Sequence, residues 1–532
     1  MKKLLSVLLC IALLLPCVSG FAEYTMPQRW VSDEKSTITY ITQMHALQTN
    51  LDDYKYLADL EAATNVHLDA EWIPAGQWNE KKNALLAGGV ELLPDVINSL
   101  NHADIATYAP QGYFVKIDEY LSEELTPNLM DLFKRYPEFK AAITFSDGHI
   151  YSLPTINMLP FRQSPYNIFI NKEWLDKLEL DIPTNYEDFY KVLCAFRDND
   201  CNGNGDPTDE IPLAGLFASG TDYFRWISLF AAMGYPVGSI NLNFMYVTDD
   251  HRVTLAPLEE GFDDALRYFK KLYSEDLLQK ETFTMTNAEY TGLGNSATAV
   301  YGVYCDWFGN VVVGSENFDE YVVLPPMAGP DGSTTWSNMG TSLFYGGGGT
   351  VINAEASNIE ACIKWLDYLY LPEISLQTTR GNFGVVIEKN EEDGMYHYIN
   401  SDDTFRVMNV PAEALPFAFT ADQVETVVLA ENMMRKINDF YPLNAAVMAT
   451  NALPAATFTL EETADVAFYQ ADIVSYITKM LSAFITGQSD IDTEYEAFIN
   501  QLKKMGVDEY LKLYQGLYDR FQAALKRSEE RR

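Results

Sequence analysis

The sequence is poor in basic residues. It has 37 Lys and Arg against 75 Asp and Glu among 532 residues, which gives a formal net charge of −38 at pH 7. A chain with this charge repels phosphate backbones and anionic lipid surfaces, which argues against nucleic acid as a partner and against adsorption to an anionic membrane. The length, with 48% hydrophobic residues, instead predicts two or more globular domains.

Cysteine is also scarce. Six cysteines in a chain of this length do not make a disulfide framework. Two of them, Cys10 and Cys17, lie within the first 22 residues. The remaining four are Cys194, Cys201, Cys305 and Cys362. Outside the cell, one or two disulfides among these four remain an alternative to free thiols, and the sequence does not determine the pairing.

Motifs of nucleophilic, metal-dependent and nucleotide-dependent catalysis are missing. The chain has no GxSxG turn, no HExxH pair, and no Gly-Lys-Ser/Thr after its four glycines at residues 346–349. A pair of glycosidase carboxylates is not excluded, because the sequence alone cannot place two acidic side chains at the required separation. A secreted, calcium-stabilised glycan hydrolase is therefore kept as an alternative.

Only the N-terminus carries a long run of apolar residues. Residues 4–15 follow the basic Lys2 and Lys3 and precede a stretch of small residues, with a predicted cleavage site before Glu23. This is the order of regions in a secretory signal peptide. The run is shorter than the roughly 20 residues of a membrane-spanning helix. A lipid anchor at Cys17 is the alternative, although lipoprotein processing requires a small residue where Pro16 stands. The sequence predicts a signal peptide at 1–22 and a secreted or surface-tethered protein.

The mature chain begins with alternating strands and helices. The residue patterns predict strands at 37–41, 67–73 and 95–98, separated by helices. This order predicts an open, doubly wound parallel sheet with helices on its faces. Ligands of such sheets bind beyond the carboxyl ends of the strands, which here are residues 48–50 and 98–104. The chain is mostly helical from about residue 463, and no long linker separates the domains.

One acidic loop, at residues 197–210, has the composition of a calcium site. Ca²⁺ binds six to eight oxygens, which alternating Asp and Asn side chains supply around a glycine turn. Two registers fit the loop. The first uses Asp198, Asp200, Asn202, the Asn204 carbonyl, Asp206 and Asp209. The second uses Asp200, Asn202, Asn204, the Asp206 carbonyl, Asp209 and Glu210. We expect one structural ion, because the ligand shell is closed.

Five segments resemble the extracellular solute-binding proteins of family 1 that serve ABC importers. They are 93–96 (LPDV), 147–154 (DGHIYSLP), 169–178 (FINKEWLDKL), 504–511 (KMGVDEYL) and 518–521 (YDRF). The last two are similar to the LipO-like branch of that family. Together the segments span most of the mature chain in the family's order.

The resemblance implies an α/β, two-lobed periplasmic-binding-protein-like fold of type II, with interwoven hinge strands and a helical C-terminal part. It implies a first lobe from residues 36–155 and 325–385 and a second lobe from residues 156–324 and 386–532. A ligand closes such lobes like a hinge.

The same resemblance implies a function without chemistry. A monomer captures a carbohydrate, most simply an oligosaccharide, and delivers it to ABC permease subunits in the membrane. A peptide or another polar solute stays open as the ligand. The acidic loop is similar to the calcium loop of alginate-oligosaccharide-binding members, which favours the second register, although this loop is one residue longer before Asp209.

Candidate ligand contacts follow from the chemistry of sugars, whose apolar CH faces stack on aromatic rings while their hydroxyls bond polar side chains. Asp306 and Trp307 follow a predicted strand, where sugar-binding members carry a stacking tryptophan. Asn382 and Phe383 lie where the family's chain returns to the hinge. The further candidates are Asn50, Trp78, Asn98, Asn157, Tyr166, Trp226 and Trp336. For each aromatic residue, packing in a core is the alternative role.

Overall fold

Strands from distant parts of the chain form the framework of the protein. The computed structural model describes residues 24–529 apart from 46, 47, 49, 165, 218–226, 238–243, 341–347, 401–404, 406, 407, 412, 413 and 455. The strands are β1 (Ser36–Met44), β2 (Val66–Pro74), β3 (Val96–Asn101), β4 (Leu153–Pro154), β5 (Ile156–Asn157), β6 (Asn167–Asn171), β7 (Ile211–Leu213), β8 (Met245–Val247), β9 (Val253–Leu255), β10 (Tyr301–Asp306), β11 (Tyr321–Val323), β12 (Gly348–Ile352), β13 (Ile387–Lys389), β14 (Tyr396–Tyr398) and β15 (Ala418–Phe419).

Helices separate most of these strands and make up the C-terminal part. They are α1 (Lys55–Thr64), α2 (Ala75–Ala87), α3 (His102–Tyr108), α4 (Pro127–Arg135), α5 (Pro137–Ile143), α6 (Lys172–Lys177), α7 (Tyr186–Arg197), α8 (Phe262–Ser274), α9 (Asn287–Gly294), α10 (Gly309–Phe318), α11 (Ile359–Leu369), α12 (Pro372–Arg380), α13 (Ala421–Val424), α14 (Glu431–Arg435), α15 (Tyr441–Ala445), α16 (Leu460–Thr486), α17 (Ile491–Lys504) and α18 (Val507–Glu529). A π-helical segment, Lys436–Phe440, joins α14 to α15.

The first lobe is built on a five-stranded sheet in the order β2-β1-β3-β12-β4 among the described residues. Strands β1, β2 and β3 are parallel, and the β-α-β-α-β order predicted from the sequence is confirmed. The sheet is mixed rather than purely parallel, because β12 returns from the second lobe and pairs antiparallel with β3 and β4. Fully buried Trp365 of α11 and Tyr40 of β1 meet edge to face in the core on one side of this sheet.

The second lobe is built on a four-stranded sheet in the order β11-β6-β10-β7 within the part of the chain that the structure describes. Strand β6 pairs antiparallel with β10 and β11, and β7 runs parallel to β10. Helices α7 and α8 and the C-terminal helices α16–α18 supply apolar side chains to the large core of this lobe. The two-lobed α/β architecture predicted from the sequence is therefore confirmed.

Two crossing segments connect the lobes. The first, residues 155–166, leads from β4 to β6, and the second, residues 324–340, leads from β11 towards β12. They run side by side, because the backbone N–H of Met339 donates a 2.8 Å hydrogen bond to the carbonyl of Gln163. A separate small core forms around residues 386–429 together with Leu159 and Phe161 of the first crossing segment.

The boundaries of the lobes stay a prediction. The strands of each large sheet fall in the ranges predicted for the two lobes. The C-terminal helices contact both lobes: α18 packs on α5 and α16 packs on α3, both in the first lobe.

Two further findings concern the thiols and the helices. No disulfide joins Cys194, Cys201, Cys305 or Cys362 in the described part of the chain, so none of the pairings that the sequence leaves open is formed. Across the described ranges, every helix is too short or too polar to span a bilayer.

Candidate functional site

The crossing segments, the start of β6 and helix α15 contribute five buried side chains, which we call the hinge cluster. They are Ser164, Asn167, Trp336, Ser337 and Asn444. The indole N–H of Trp336 donates a 3.0 Å hydrogen bond to Ser164 Oγ. The side-chain amide of Asn444 donates hydrogen bonds of 3.0 Å to Ser164 Oγ and to Asn167 Oδ1. Three distant parts of the chain thus meet at one point between the lobes.

Three polar atoms of the hinge cluster have no hydrogen-bond partner among the described residues. They are Nδ2 of Asn167, Oδ1 of Asn444 and Oγ of Ser337. The three residues are 1%, 1% and 0% exposed, respectively. Burying a polar atom without a partner costs about 1–3 kcal/mol, so such atoms are rare unless a ligand uses them. The cluster therefore holds a donor, an acceptor and a hydroxyl whose hydrogen-bonding capacity is unused among the described residues.

Trp307 lies beside the hinge cluster, directly after strand β10. Asp306, the last residue of that strand, is the register partner of Asn167 in β6. Its Oδ1 accepts a 3.0 Å hydrogen bond from the backbone N–H two residues further on, which turns the chain out of the strand. The Trp307 ring is half-buried and makes T-shaped contacts with the Phe161 and Tyr166 rings at centroid distances of 5.9 and 6.3 Å.

A buried lysine covers one face of the Trp307 ring. The Nζ of Lys436 lies 3.3 Å from the Trp307 ring centroid and donates a 2.6 Å hydrogen bond to the Trp307 carbonyl. Burial, with a smaller contribution from Arg162, lowers the pKa of Lys436 well below its ordinary value. The site is thus aromatic and polar, with basic groups behind the tryptophan.

Four of the sequence-predicted contacts come together here. Tyr166, Asp306 and Trp307 surround the start of β6 and the end of β10, and Trp336 belongs to the hinge cluster. Trp336 is 1% exposed, so its role in this structure is to pack and to donate to Ser164 rather than to offer a ring face. Asn157 lies on the first crossing segment, where its Oδ1 accepts a hydrogen bond from a backbone N–H.

Trp78 and Asn98 have structural roles in the first lobe. Trp78 is 4% exposed in a core of that lobe, and its indole N–H donates to the Ser99 carbonyl at 3.1 Å. As a ligand contact Trp78 stays a prediction, with core packing as its role in this structure. The buried Asn98 donates to Thr42 and accepts from Thr350, which ties β3 to β1 and β12.

Three of the remaining predicted contacts form their hydrogen bonds and ring contacts with residues outside the hinge cluster. Asn50 is exposed and bonds within its own loop, to Asp53 and to the backbone of residue 52. The buried Asn382 donates to Asp59 at 3.3 Å, and Phe383 stacks on Tyr396 with ring centroids 4.6 Å apart. As ligand contacts these three residues stay predictions. The last predicted residue, Trp226, lies outside the described residues.

A surface groove of about 1000 Å³ lies elsewhere, between α4, α5 and the end of α18. Lys134, Lys140 and Arg527 lie on its wall together with Asp118 and apolar side chains. None of the sequence-predicted contacts lines this groove. The hinge cluster, which holds buried polar atoms next to a half-buried tryptophan, is the better candidate for the ligand site.

The acidic loop folds around Asp200. Its two carboxylate oxygens accept hydrogen bonds from the backbone N–H groups of Gly203 and Gly205, at 2.7 and 3.0 Å. Both glycines have positive φ, 75° and 91°, which lets the loop turn sharply. The side-chain amides of Asn202 and Asn204 donate to the two oxygens of Asp209, at 3.1 and 2.6 Å. The second register's side chains are thus brought close together.

Glu210 closes the loop from beneath. It is 8% exposed, and its Oε1 accepts hydrogen bonds from the backbone N–H groups of Cys201 and Asn202, at 2.7 and 3.2 Å. Its Oε2 is buried without a partner among the described residues. Burial raises the pKa of Glu210, and the backbone N–H groups partly oppose this.

This geometry fits the first register less well than the second. Asp198 ends helix α7 and pairs with Arg197 at 2.7 Å, and the Asp206 carboxylate accepts from the backbone and hydroxyl of Thr208. In the described part of the chain, no three His, Cys, Asp or Glu side chains converge in the manner of a metal site. The oxygens of Asn202 and Asn204 would have to complete the shell.

Comparison with known proteins identifies the family. The family model of the bacterial extracellular solute-binding proteins matches residues 42–374. The chain belongs to this family. This solute-binding protein is 29% identical to the fructooligosaccharide ABC transporter substrate-binding protein FusA of Streptococcus pneumoniae, over 92% of this chain and 91% of that protein.

Solved structures agree with this assignment. The FusA complex with kestose superimposes with a TM-score of 0.76 at 26% identity, covering 92% of this chain and 99% of that one. A FusA structure with fructo-nystose carries an EF-hand mutation. An extracellular solute-binding protein from Bifidobacterium longum subsp. infantis has a TM-score of 0.81 at 25% identity, covering 93% of this chain and all of that one. The resemblance seen in the sequence and the fold of type II are therefore confirmed.

Sequence reasoning missed several residues of the hinge cluster. Nothing local distinguishes Ser164, Asn167 or Asn444 from other small polar residues, because their partners come from distant segments. Lys436 lies within a stretch of short helices, and only its position after α14 places it on Trp307. In this solute-binding protein the candidate site forms where distant segments of the chain meet, and a local sequence motif does not contain that information.

Proposed function

We propose that this solute-binding protein captures an oligosaccharide between its lobes and delivers it to the membrane subunits of an ABC importer. The observation that carries the proposal is the half-buried Trp307 beside buried polar atoms that have no partner among the described residues. Its similarity to FusA, which is named for fructooligosaccharides, supports a ligand of this class. The protein performs no chemistry in this proposal, and its mechanism is lobe closure on the ligand.

The chemistry of the hinge cluster suits a sugar. A hydroxyl group both donates and accepts hydrogen bonds, so one sugar ring can accept from Asn167 Nδ2 and donate to Asn444 Oδ1. The Ser337 hydroxyl can do either. Trp307 supplies a flat apolar surface for the CH groups of the ring, as aromatic side chains do in carbohydrate sites. Asp306, Tyr166 and Asn157 flank this position, while Asn50, Asn98, Asn382 and Phe383 are proposed at its periphery.

We also propose that the acidic loop binds one structural Ca²⁺ in the second register. The proposed ligands are Asp200, Asn202, Asn204, the Asp206 carbonyl, Asp209 and Glu210. The donor set fits, because all are oxygens and because the buried Glu210 Oε2 has no other partner in the described part of the chain. The ion would supply the positive charge that a loop so rich in carboxylates lacks.

The cellular setting follows from the family. An extracellular solute-binding protein meets its permease at the outer face of the membrane, so secretion through the predicted signal peptide at 1–22 is part of the proposal. A lipid anchor at Cys17 is the alternative to a freely diffusing monomer. Residues 1–22 lie outside the described residues.

The proposal is tested by a thermal-shift screen of the mature chain against kestose, nystose, oligogalacturonides and oligomannose glycans. Binding to the folded state alone raises the melting temperature. We expect one class to raise it in the wild type and much less in Trp307→Ala. Trp30→Ala is the matched control, because Trp30 is 56% exposed and away from the site.

The products of each incubation are then analysed by chromatography. Unchanged glycan supports a binding protein, and cleavage would instead make the protein a hydrolase. No shift with any glycan would contradict the carbohydrate assignment and direct the screen to peptides and other polar solutes.

A further inference from the structure

Lys436 is an unusual residue to find behind the proposed stacking ring. It is 1% exposed, within the π-helical segment Lys436–Phe440. Its Nζ lies 3.3, 4.7 and 4.8 Å from the ring centroids of Trp307, Phe308 and Phe161. Among the described residues it forms no ion pair with a carboxylate, and its single hydrogen bond goes to the Trp307 carbonyl.

Packing alone does not account for this lysine. Burying an ammonium group without a counter-ion is costly, and burial lowers its pKa for that reason. A methionine of similar length would fill the same space without that cost, as apolar replacements of buried charged groups often do. The contacts with Trp307 are what a lysine adds at this position.

The two contacts with Trp307 act on different parts of that residue. The hydrogen bond holds the carbonyl, and the amine lies on the face of the ring, so backbone and side chain are fixed relative to each other. An amine over an indole face is also attracted to the ring's negative potential. One face of Trp307 is therefore occupied by the protein itself, so a ligand can stack on this ring only at the other face.

We propose that Lys436 is a positioning and specificity-determining residue: it fixes the plane of Trp307 and closes one ring face, so that Trp307 stacks on a single sugar ring. This inference rests on the proposed function. As a consequence, the site binds a single sugar ring of the oligosaccharide, terminal or internal, and that ring stacks on Trp307 from one side. A tryptophan inserted between two sugar rings is excluded by this arrangement.

The test compares Lys436→Met and Lys436→Gln with the wild type, using the mature chain and kestose, or the panel glycan that gives the largest thermal shift. We expect affinity to fall about tenfold in both variants, because Trp307 is no longer held in the plane that stacks on the ligand. Lys436→Arg should recover part of the affinity, because a guanidinium also lies over aromatic faces and donates hydrogen bonds. The melting temperature of Lys436→Met without glycan should be unchanged or higher.

A parallel arm uses no glycan. The fluorescence of Trp307 is obtained as the difference between each protein and the same protein carrying Trp307→Phe. We expect acrylamide to quench this fluorescence more strongly in Lys436→Met than in the wild type, because the ring loses its cover.

The outcomes separate the two claims. Wild-type binding with an affinity unchanged in Lys436→Met overturns the role of Lys436 and leaves the proposed function standing. A parallel fall of affinity and melting temperature in both variants shows a merely structural role and also overturns it. A wild type that binds no glycan overturns the proposed function and the selectivity, whereas quenching still decides whether Lys436 covers the ring.

Discussion

Asn444 donates a 3.0 Å hydrogen bond to Asn167, which lies 277 residues earlier in the chain. The bond joins helix α15 to the first residue of β6, where the chain enters the second lobe. Both side chains are buried, and each keeps one polar atom without a partner among the described residues. The C-terminal segment thus completes a site that the crossing segments alone would leave open.

Asn444→Ala should weaken glycan binding more than it weakens the fold. The change removes a direct ligand acceptor and frees Asn167, and each lost hydrogen bond is worth about 1 kcal/mol. We expect an affinity loss of about tenfold or more by titration calorimetry. Asn79→Ala is the matched control, because Asn79 is exposed on α2. Equal affinities for the two variants would remove Asn444 from the site.

The calcium register can be determined by substitution. If the second register holds, Asp200→Ala and Glu210→Gln abolish the stabilisation by Ca²⁺, because they remove side-chain ligands. Asp198→Ala leaves it intact, because Asp198 pairs with Arg197 instead. The measurement is the difference in melting temperature between calcium and EDTA. Loss of that difference in Asp198→Ala would favour the first register, and an EDTA-insensitive wild type would remove the site altogether.

Asp95 should make the first lobe sensitive to acid. Its carboxylate accepts hydrogen bonds from the N–H and hydroxyl of Thr39 and from the N–H of Ser357. Burial works to raise its pKa, but these donors lower the pKa below the ordinary value. The folded pKa is below the unfolded one, so this stabilisation is present above about pH 4 and is lost as pH falls through the folded value.

We therefore expect Asp95→Asn to lower the free energy of unfolding by about 1–3 kcal/mol at pH 7, and by less at pH 3. Urea denaturation at both pH values measures this difference. Glu80→Gln, at an exposed position of α2, is the control. A loss of stability that is the same at both pH values would refute the assignment to the charged carboxylate.

The N-terminal segment is fixed by a buried carboxylate far from the site. Asp367 has no exposed side-chain surface and accepts hydrogen bonds from Arg29 at 2.7 Å, from the Leu129 N–H at 2.8 Å and from the Asn128 amide at 3.0 Å. Arg29→Met leaves this carboxylate without its cation. We expect a loss of about 1–3 kcal/mol in stability, because Arg29 is itself part-exposed. Glycan affinity should stay within twofold by calorimetry, and a larger change would link this ion pair to the hinge.

The sequence predicted those parts of the structure that depend on local patterns. Alternation of residue types predicted β1 and β2, and a short apolar run predicted β3. The composition of the acidic loop predicted its sharp glycine turn. Aromatic character could not separate Trp78 and Trp336 from Trp307. All three are large and apolar, and only tertiary contacts decide that two are enclosed and one is half-buried.

The hinge cluster itself was beyond local prediction. Asn167 and Asn444 belong to the cluster because they bond to each other, and neither lies in a sequence motif. Lys436 acquires its environment because a π-helical segment folds back over the end of β10. Long-range pairing of this kind carries no periodicity or spacing that a sequence pattern can register.

Titration calorimetry of the mature wild type and Trp307→Ala with kestose and the other glycans of the panel is the most direct test of the central claim. We predict saturable binding of one glycan class to the wild type with one site per chain, at least tenfold weaker binding to Trp307→Ala, and recovery of the glycan unchanged. Failure of every glycan to bind the wild type, or equal binding by both proteins, would contradict an oligosaccharide site built on Trp307.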